Sequence, residues 1–118
     1  MTDPDKTSDL LARAERVRSE MGGAEKVAKM SDEGDRTIRQ HIDGFLDENT
    51  FREIGTFSRS IRAEEREKTP GDGKIGGHGT VNGRPVAVFG DDITVYRGSS
   101  SIVGTRKEHR LYERAMAM

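Results

Sequence analysis

Residues Gly71-Asp72-Gly73-Lys74-Ile75-Gly76 carry the spacing G-x-G-x-x-G. In that pattern a tight turn aims backbone N–H groups and a helix N-terminus at a pyrophosphate. The chemistry requires a strand before the glycines and a helix after them. Here Pro70 and a charged stretch precede the glycines, and a strand-like alternation follows them. The better expectation is a turn at Gly71 and Gly73, with Gly76, Gly77 and Gly79 allowing a bulge or the close approach of another backbone. The other groups able to do chemistry are scattered. His41, His78 and His109 fall in a helix, a strand and a helix, and only Glu113, four residues after His109, has ligand-like spacing, so no metal site is expected. Asp91 and Asp92 are neighbours on an extended segment and point to opposite faces, which keeps them from sharing a proton.

The elements that must position these residues are read from periodicity. A helix is expected from Ser8, a suitable N-cap, with Leu10, Leu11, Ala14, Val17 and Met21 on one face and Gly22-Gly23 ending it. A short second helix covers about 24–30, and a third covers about 35–46 with Ile38, Ile42, Phe45 and Leu46 on one stripe. Arg36 and Arg39 stand on its other side as a solvated face. An extended "FREIG" follows, and then residues 57–70, dense in charge, read as a mobile loop of the kind that reaches a partner or ligand. Beyond it the period changes to two. Asn82-Gly83, which readily takes two positive φ angles, predicts a hairpin between "KIGGHGTV" and "RPVAVFG", and "DDITVYRG" reads as a third strand. A last helix runs from about Ser101 or Thr105 to the end, with Val103, Lys107, Leu111, Ala115 and Met118 along one side and Arg106, Lys107 and Arg110 at its start.

Composition bounds the rest. The chain has 118 residues, enough for one domain at most. Leu, Ile, Val and Phe number 4, 7, 7 and 4, or 22 residues, about 19%, while 35% are charged. A chain so short of core is expected to bury apolar surface against a partner. Twenty basic residues against 21 acidic ones leave a net charge of −1, which gives no electrostatic footprint for nucleic acid. There is no cysteine, hence no disulfide and no thiolate metal site, in keeping with a cytoplasmic protein. No apolar run is long enough to span a membrane, and the start "MTDPDKTSDLL" lacks a secretory profile.

Taken in order, "GGAEKVAKM", "IRQHIDGFLDENTFREIG", the charged loop and "PGDGKIGGHGTVNGRPVAVFGDDITVYRGS" resemble the N-terminal part of the biotin-dependent acyl-CoA carboxyltransferases. That family comprises the carboxyltransferase subunits of propionyl-, methylcrotonyl- and acetyl-CoA carboxylases and is related to transcarboxylases and glutaconyl-CoA decarboxylases. The resemblance covers about residues 22–112, and Asn82-Gly83-Arg84 followed by Asp92-x-Thr94-Val95 is its most specific part. It implies an α+β fold: helices, a β meander and a helix forming an incomplete crotonase-like ββα spiral that a partner chain completes. Residues 1–21 would be a helical arm and 22–118 the partial carboxyltransferase domain.

In that superfamily two backbone N–H groups hold the oxyanion of a thioester enolate, and carboxybiotin supplies the carboxyl group. The resemblance therefore implies a small subunit of a hetero-oligomeric ligase-type carboxyltransferase, or of a related acyl-CoA decarboxylase. No cofactor would be bound by this chain alone, biotin being carried by a partner. Its partners would be a larger carboxyltransferase-like chain, acyl-CoA, and biotin carboxylase and biotin carrier subunits. Its acyl-CoA contacts would come from Tyr96, Arg97, Gly98, Ser99, Ser100 and Lys107, with no catalytic residue assigned. Arg97-Gly98-Ser99 stands where the family usually has Gly-Gly-Ser, and Ser100, Ser101 and Ile102 replace its usual Leu-Gly-Glu. Arg97 could anchor a CoA phosphate or a substrate carboxylate. The serines fit a helix cap as well as a ligand site, and Lys107 fits a solvated helix face as well as a phosphate contact. The competing reading is a non-catalytic assembly or binding module that keeps this fold for protein contacts.

Overall fold

A computed structural model describes residues 4–96 and 102–118. Three helices come first, α1 (Pro4–Glu20), α2 (Ala24–Asp32) and α3 (Ile38–Phe45), then strand β1 (Arg52–Ile54). Two short 3-10 turns, Ala63–Lys68 and Pro70–Gly73, lead to β2 (Lys74–Val81), β3 (Arg84–Asp91) and helix α4 (Ile102–Ala117). The strands form one antiparallel sheet in the order β1-β2-β3. The mixed helix-and-strand architecture is the one expected.

The hairpin falls where the sequence places it. Val81 pairs with Arg84 across Asn82 (φ 51°) and Gly83 (φ 78°), two left-handed residues that match the twist of the strands. Asp47 fastens this turn from outside. Its carboxylate accepts from Thr80 Oγ1 at 2.6 Å and from the backbone N–H groups of Asn82 and Gly83 at 2.9 Å each. These three donors hold its pKa below the ordinary aspartate value.

The hairpin is sandwiched between helices because its glycines let them approach. On one face Ile42 and Leu46 of the α3 segment pack with Ile75, flanked by Ile38, Phe51, Val81, Val86 and Val88. A methyl group at Gly79 would lie 2.7 Å from Leu46, and one at Gly90 would lie 2.1 Å from Ile38. On the other face Leu111 of α4 sits over Gly76, where a methyl would come within 2.8 Å. Close approach is thus what these strand glycines provide.

Helix α1 begins at Pro4 rather than at Ser8, Leu10 and Leu11 of its expected apolar face are exposed, and so is Phe45 of the expected α3 stripe. Four further expectations change. First, α3 begins at Ile38 rather than near Asp35, because Thr37 and Gln40 form a reciprocal capping box. Second, Arg39 is no solvated face. Its guanidinium lies 2.7 and 3.0 Å from the two oxygens of Glu53, whose side chain is 3% exposed. Third, residues 92–96 form turns, not a strand. Asp92 accepts from the Thr94 N–H at 2.9 Å and from its hydroxyl at 2.5 Å, and this local pairing closes the chain on itself. Fourth, the charged segment 57–70 folds into its 3-10 turn over a buried anchor. Thr69 Oγ1 donates to the Glu65 carbonyl and accepts from the Ser60 N–H.

Candidate functional site

The glycine-rich loop is built from three successive left-handed residues, Gly71 (φ 65°), Asp72 (φ 51°) and Gly73 (φ 76°). A phosphate cradle would turn its N–H groups inward; this loop turns carbonyls inward instead. The Lys107 ammonium donates to the carbonyls of Gly55 and Gly71 at 2.9 Å each and to that of Lys74 at 2.6 Å. An ammonium has three N–H donors, so all of them are committed. Lys107 is 7% exposed, and burial lowers its pKa to about 8; Glu53 and Asp72 partly offset this and Arg39 reinforces it. Lys107 is therefore a strut that ties α4 to the loop and to Gly55, with no donor left for a CoA phosphate.

The acidic residue of the loop secures the same helix. Asp72 accepts from the Gly104 N–H at 3.0 Å, near the α4 N-terminus, where a carboxylate is stabilised by the helix dipole. Asp91, the first of the adjacent pair, faces outward and pairs with Lys74. Asp92 is 2% exposed, and besides its bonds to Thr94 its N–H donates to the Gly73 carbonyl at 2.9 Å. Thr94 passes the linkage on, accepting at Oγ1 from the Gly22 N–H at 2.8 Å, while Lys26 donates to its carbonyl at 3.3 Å. Gly22 lies so close that a methyl there would sit 1.9 Å from the Thr94 oxygen. The start of α2, the glycine loop and the end of β3 are thus joined at Asp92-Ile93-Thr94.

That junction launches the segment expected to meet acyl-CoA. Tyr96 leaves it with φ 45° and 47% exposure. Arg97, Gly98, Ser99 and Ser100 lie outside the described residues. Of the six expected contacts, Tyr96 is thus at the surface and Lys107 is buried beneath the loop. The histidines do not converge: His109 makes an exposed pair with Glu113 at 2.8 Å, and His78 Nε2 is buried without a hydrogen-bond partner. Among the described residues no cluster of potential ligands could hold a metal ion.

The residues that the sequence did not single out act over long separations. Asp47 and Glu53 reach partners 33–36 and 14 residues away. Asp47 sits in a turn-like "DENT", which signals a turn but not the hairpin that it caps. No local signal marks Glu53.

This arrangement, an antiparallel hairpin clasped between a capped helix and a following helix, is a fold shared with carboxyltransferases of known structure. The chain belongs to the carboxyl transferase domain family, whose pattern matches residues 29–118. It is 40% identical over 119 residues to the propionyl-CoA carboxylase carboxyltransferase subunit of Haloferax mediterranei, covering 98% of this chain and 23% of that protein. It is 33% identical over 100 residues to the methylmalonyl-CoA decarboxylase subunit alpha of Veillonella parvula, covering 82% of this chain and 20% of that one. The structure overlays that of transcarboxylase 12S with methylmalonyl-coenzyme A and methylmalonic acid bound, with a TM-score of 0.87 and 28% identity over 99% of this chain and 23% of that one. The chain therefore spans about a quarter of the length of these relatives. No helix among the described residues is long and apolar enough to cross a membrane.

Proposed function

We propose that this chain provides the N-terminal part of an acyl-CoA carboxyltransferase, acting with a larger carboxyltransferase-like chain. Its contribution would be one wall of the acyl-CoA pocket, through the segment from Tyr96 to Ser100. The observation that carries this reading is the coincidence of the two junctions. Asp92-x-Thr94 is held at the exit of β3 and Lys107 is held on α4, so the described residues on either side of 97–101 are anchored. Anchored flanks lower the ordering cost that a ligand-binding segment between them pays on binding.

In this reading the α-carbon of the acyl thioester becomes nucleophilic as its enolate, and two backbone N–H groups hold the developing oxyanion. Each well-placed donor of that kind is worth roughly 3 kcal/mol. Those donors come from the remainder of a carboxyltransferase of the relatives' length. Carboxybiotin is a co-substrate delivered on a carrier subunit charged by a biotin carboxylase, and no residue of this chain is assigned to it. Arg97, the departure from the usual glycine, would contribute a charged hydrogen bond to a CoA phosphate or a substrate carboxylate.

The test is co-purification with the products of neighbouring genes, followed by acyl-CoA binding to the complex and to the same complex carrying Arg97→Ala. Binding by the first and at least about tenfold weaker binding by the second are expected, as loss of a charge-assisted bond implies. A chain that remains a stable monomer, with no complex that binds acyl-CoA, overturns the reading.

A further inference from the structure

A cleft of about 360 Å³ opens between α1 and residues 56–70. Four guanidinium groups line it: Arg13 and Arg16 from α1, Arg59 and Arg66 from the 3-10 segment. Glu20 and Glu67 are the acidic lining residues, so four positive charges less two negative ones leave +2 there, in a chain of net charge −1. The cluster is assembled by the fold from sites more than forty residues apart, and the buried Thr69 anchor holds the second pair in place.

Part of this charge is used internally. Arg13 lies 5.2 Å above the Phe57 ring, and Arg59 pairs with Glu67 at 3.5 Å. Arg16 and Arg66 have no acceptor or ion-pair partner among the described residues. Arg13 and Arg16 are also three apart on one helix face, a like-charge spacing that costs helix stability unless an anion lies between them. Forked guanidinium groups are suited to bidentate contact with phosphate oxygens, and the half-exposed Phe57 ring supplies an apolar floor beside them.

We propose that this cleft binds a phosphate-bearing ligand, with Arg16 and Arg66 as its principal grips. Its position suits either of two sources. Met21 lines the cleft, and the next residue, Gly22, is bonded to Thr94, so the cleft adjoins the junction that leads to Tyr96. The nucleotide end of a CoA thioester could occupy it, as could a free phosphorylated metabolite. The proposal stands without the acyl-CoA reading, because it concerns a different set of residues.

The probe is inorganic pyrophosphate, titrated calorimetrically into the full chain at low salt. One-to-one binding that weakens as salt rises is expected. The double variant Arg16→Gln/Arg66→Gln should weaken it by about tenfold or more. Arg84→Gln/Arg114→Gln, which removes the same charge from exposed positions elsewhere, should leave it unchanged; circular dichroism checks that both variants fold. Competition by adenosine 3′,5′-bisphosphate supports the cleft and points to the CoA nucleotide, and binding without such competition supports it with a free phosphate compound as the source. Absence of pyrophosphate binding, or equal weakening in the two double variants, overturns the proposal.

Discussion

Lys107 shows how a single side chain can reverse the meaning of a motif. Gly71 to Lys74 looks from its spacing like a set of N–H donors for an anion, yet its carbonyls receive a cation supplied by the same chain. The left-handed residues explain the inversion, since they turn the peptide planes of the loop away from the direction that a helix N-terminus would impose. Lys107→Met should therefore remove the ammonium from three carbonyls, of which those of Gly55 and Gly71 keep a backbone donor from Ser58 and Lys74, and cost about 1 to 2 kcal/mol in urea unfolding at pH 7. The same site gives a pH signature with a definite sign. The folded state releases the Lys107 proton near pH 8, and the unfolded chain retains it until near 10.5. Between those values the unfolded state binds more protons, so stability rises with pH there, and below pH 8 the cost of burying the cation is present in full. Subtracting the Lys107→Met curve from the wild-type curve between pH 7 and 9.5 isolates the effect. A difference that does not change across that range would show that no buried cation is present.

At the scale of elements, the sheet is organised by glycines whose jobs are distinct. Gly77 faces β1, where a methyl would lie 2.2 Å from the Arg52 carbonyl oxygen and 2.8 Å from the Glu53 Cα. Backbone cannot yield as a side-chain tip can, so Gly77→Ala should detach β1 and cost about 2 kcal/mol or more. Gly83 has open space around it but φ 78°, so Gly83→Ala should cost only the left-handed penalty, about 1 kcal/mol. Unfolding midpoints of the two variants test the order, and amide exchange of residues 52–54 should accelerate in Gly77→Ala alone. This contrast also explains what the sequence revealed. The Asn82-Gly83 hairpin was legible because its signal is local, and so were α2 and three of the four residues of the α3 stripe, Phe45 being exposed. The third strand was misread because alternation at Ile93 and Val95 has the same period whether or not a neighbouring strand exists. Asp92 instead satisfies Thr94 within two residues. Arg39 and Lys107 were misjudged for the opposite reason. Their partners lie 14 to 52 residues away, and a single helix wheel shows only which face a charge occupies, not what will cover it.

The whole molecule leaves many large apolar side chains at its surface. Among the described residues eight hydrophobic side chains are buried, whereas ten large ones are exposed, among them Leu10 and Leu11 on α1 and Tyr112, Met116 and Met118 on α4. The radius of gyration, 14.7 Å, exceeds the value of about 13.5 Å expected for a compact chain of this length. Such a distribution is unfavourable in water unless another surface covers it. The relatives span about four times this length, and the proposed larger chain would supply that cover. At about 25 cal/mol per Å² of apolar area removed from water, covering a few hundred Å² would add several kcal/mol, comparable to the whole stability of a small domain. The isolated chain is accordingly expected to bind the dye ANS, to self-associate at micromolar concentration and to melt below about 45 °C, the lower end of the usual range for such domains. Forming the complex should abolish the dye signal and raise the melting temperature by ten degrees or more, on the order of the shift that a few kcal/mol produces at this size. Scanning calorimetry of the chain alone and in the complex measures both states. A monomer that ignores the dye and melts above about 60 °C would mean that the exposed side chains need no cover, and the two-chain reading would lose its physical basis.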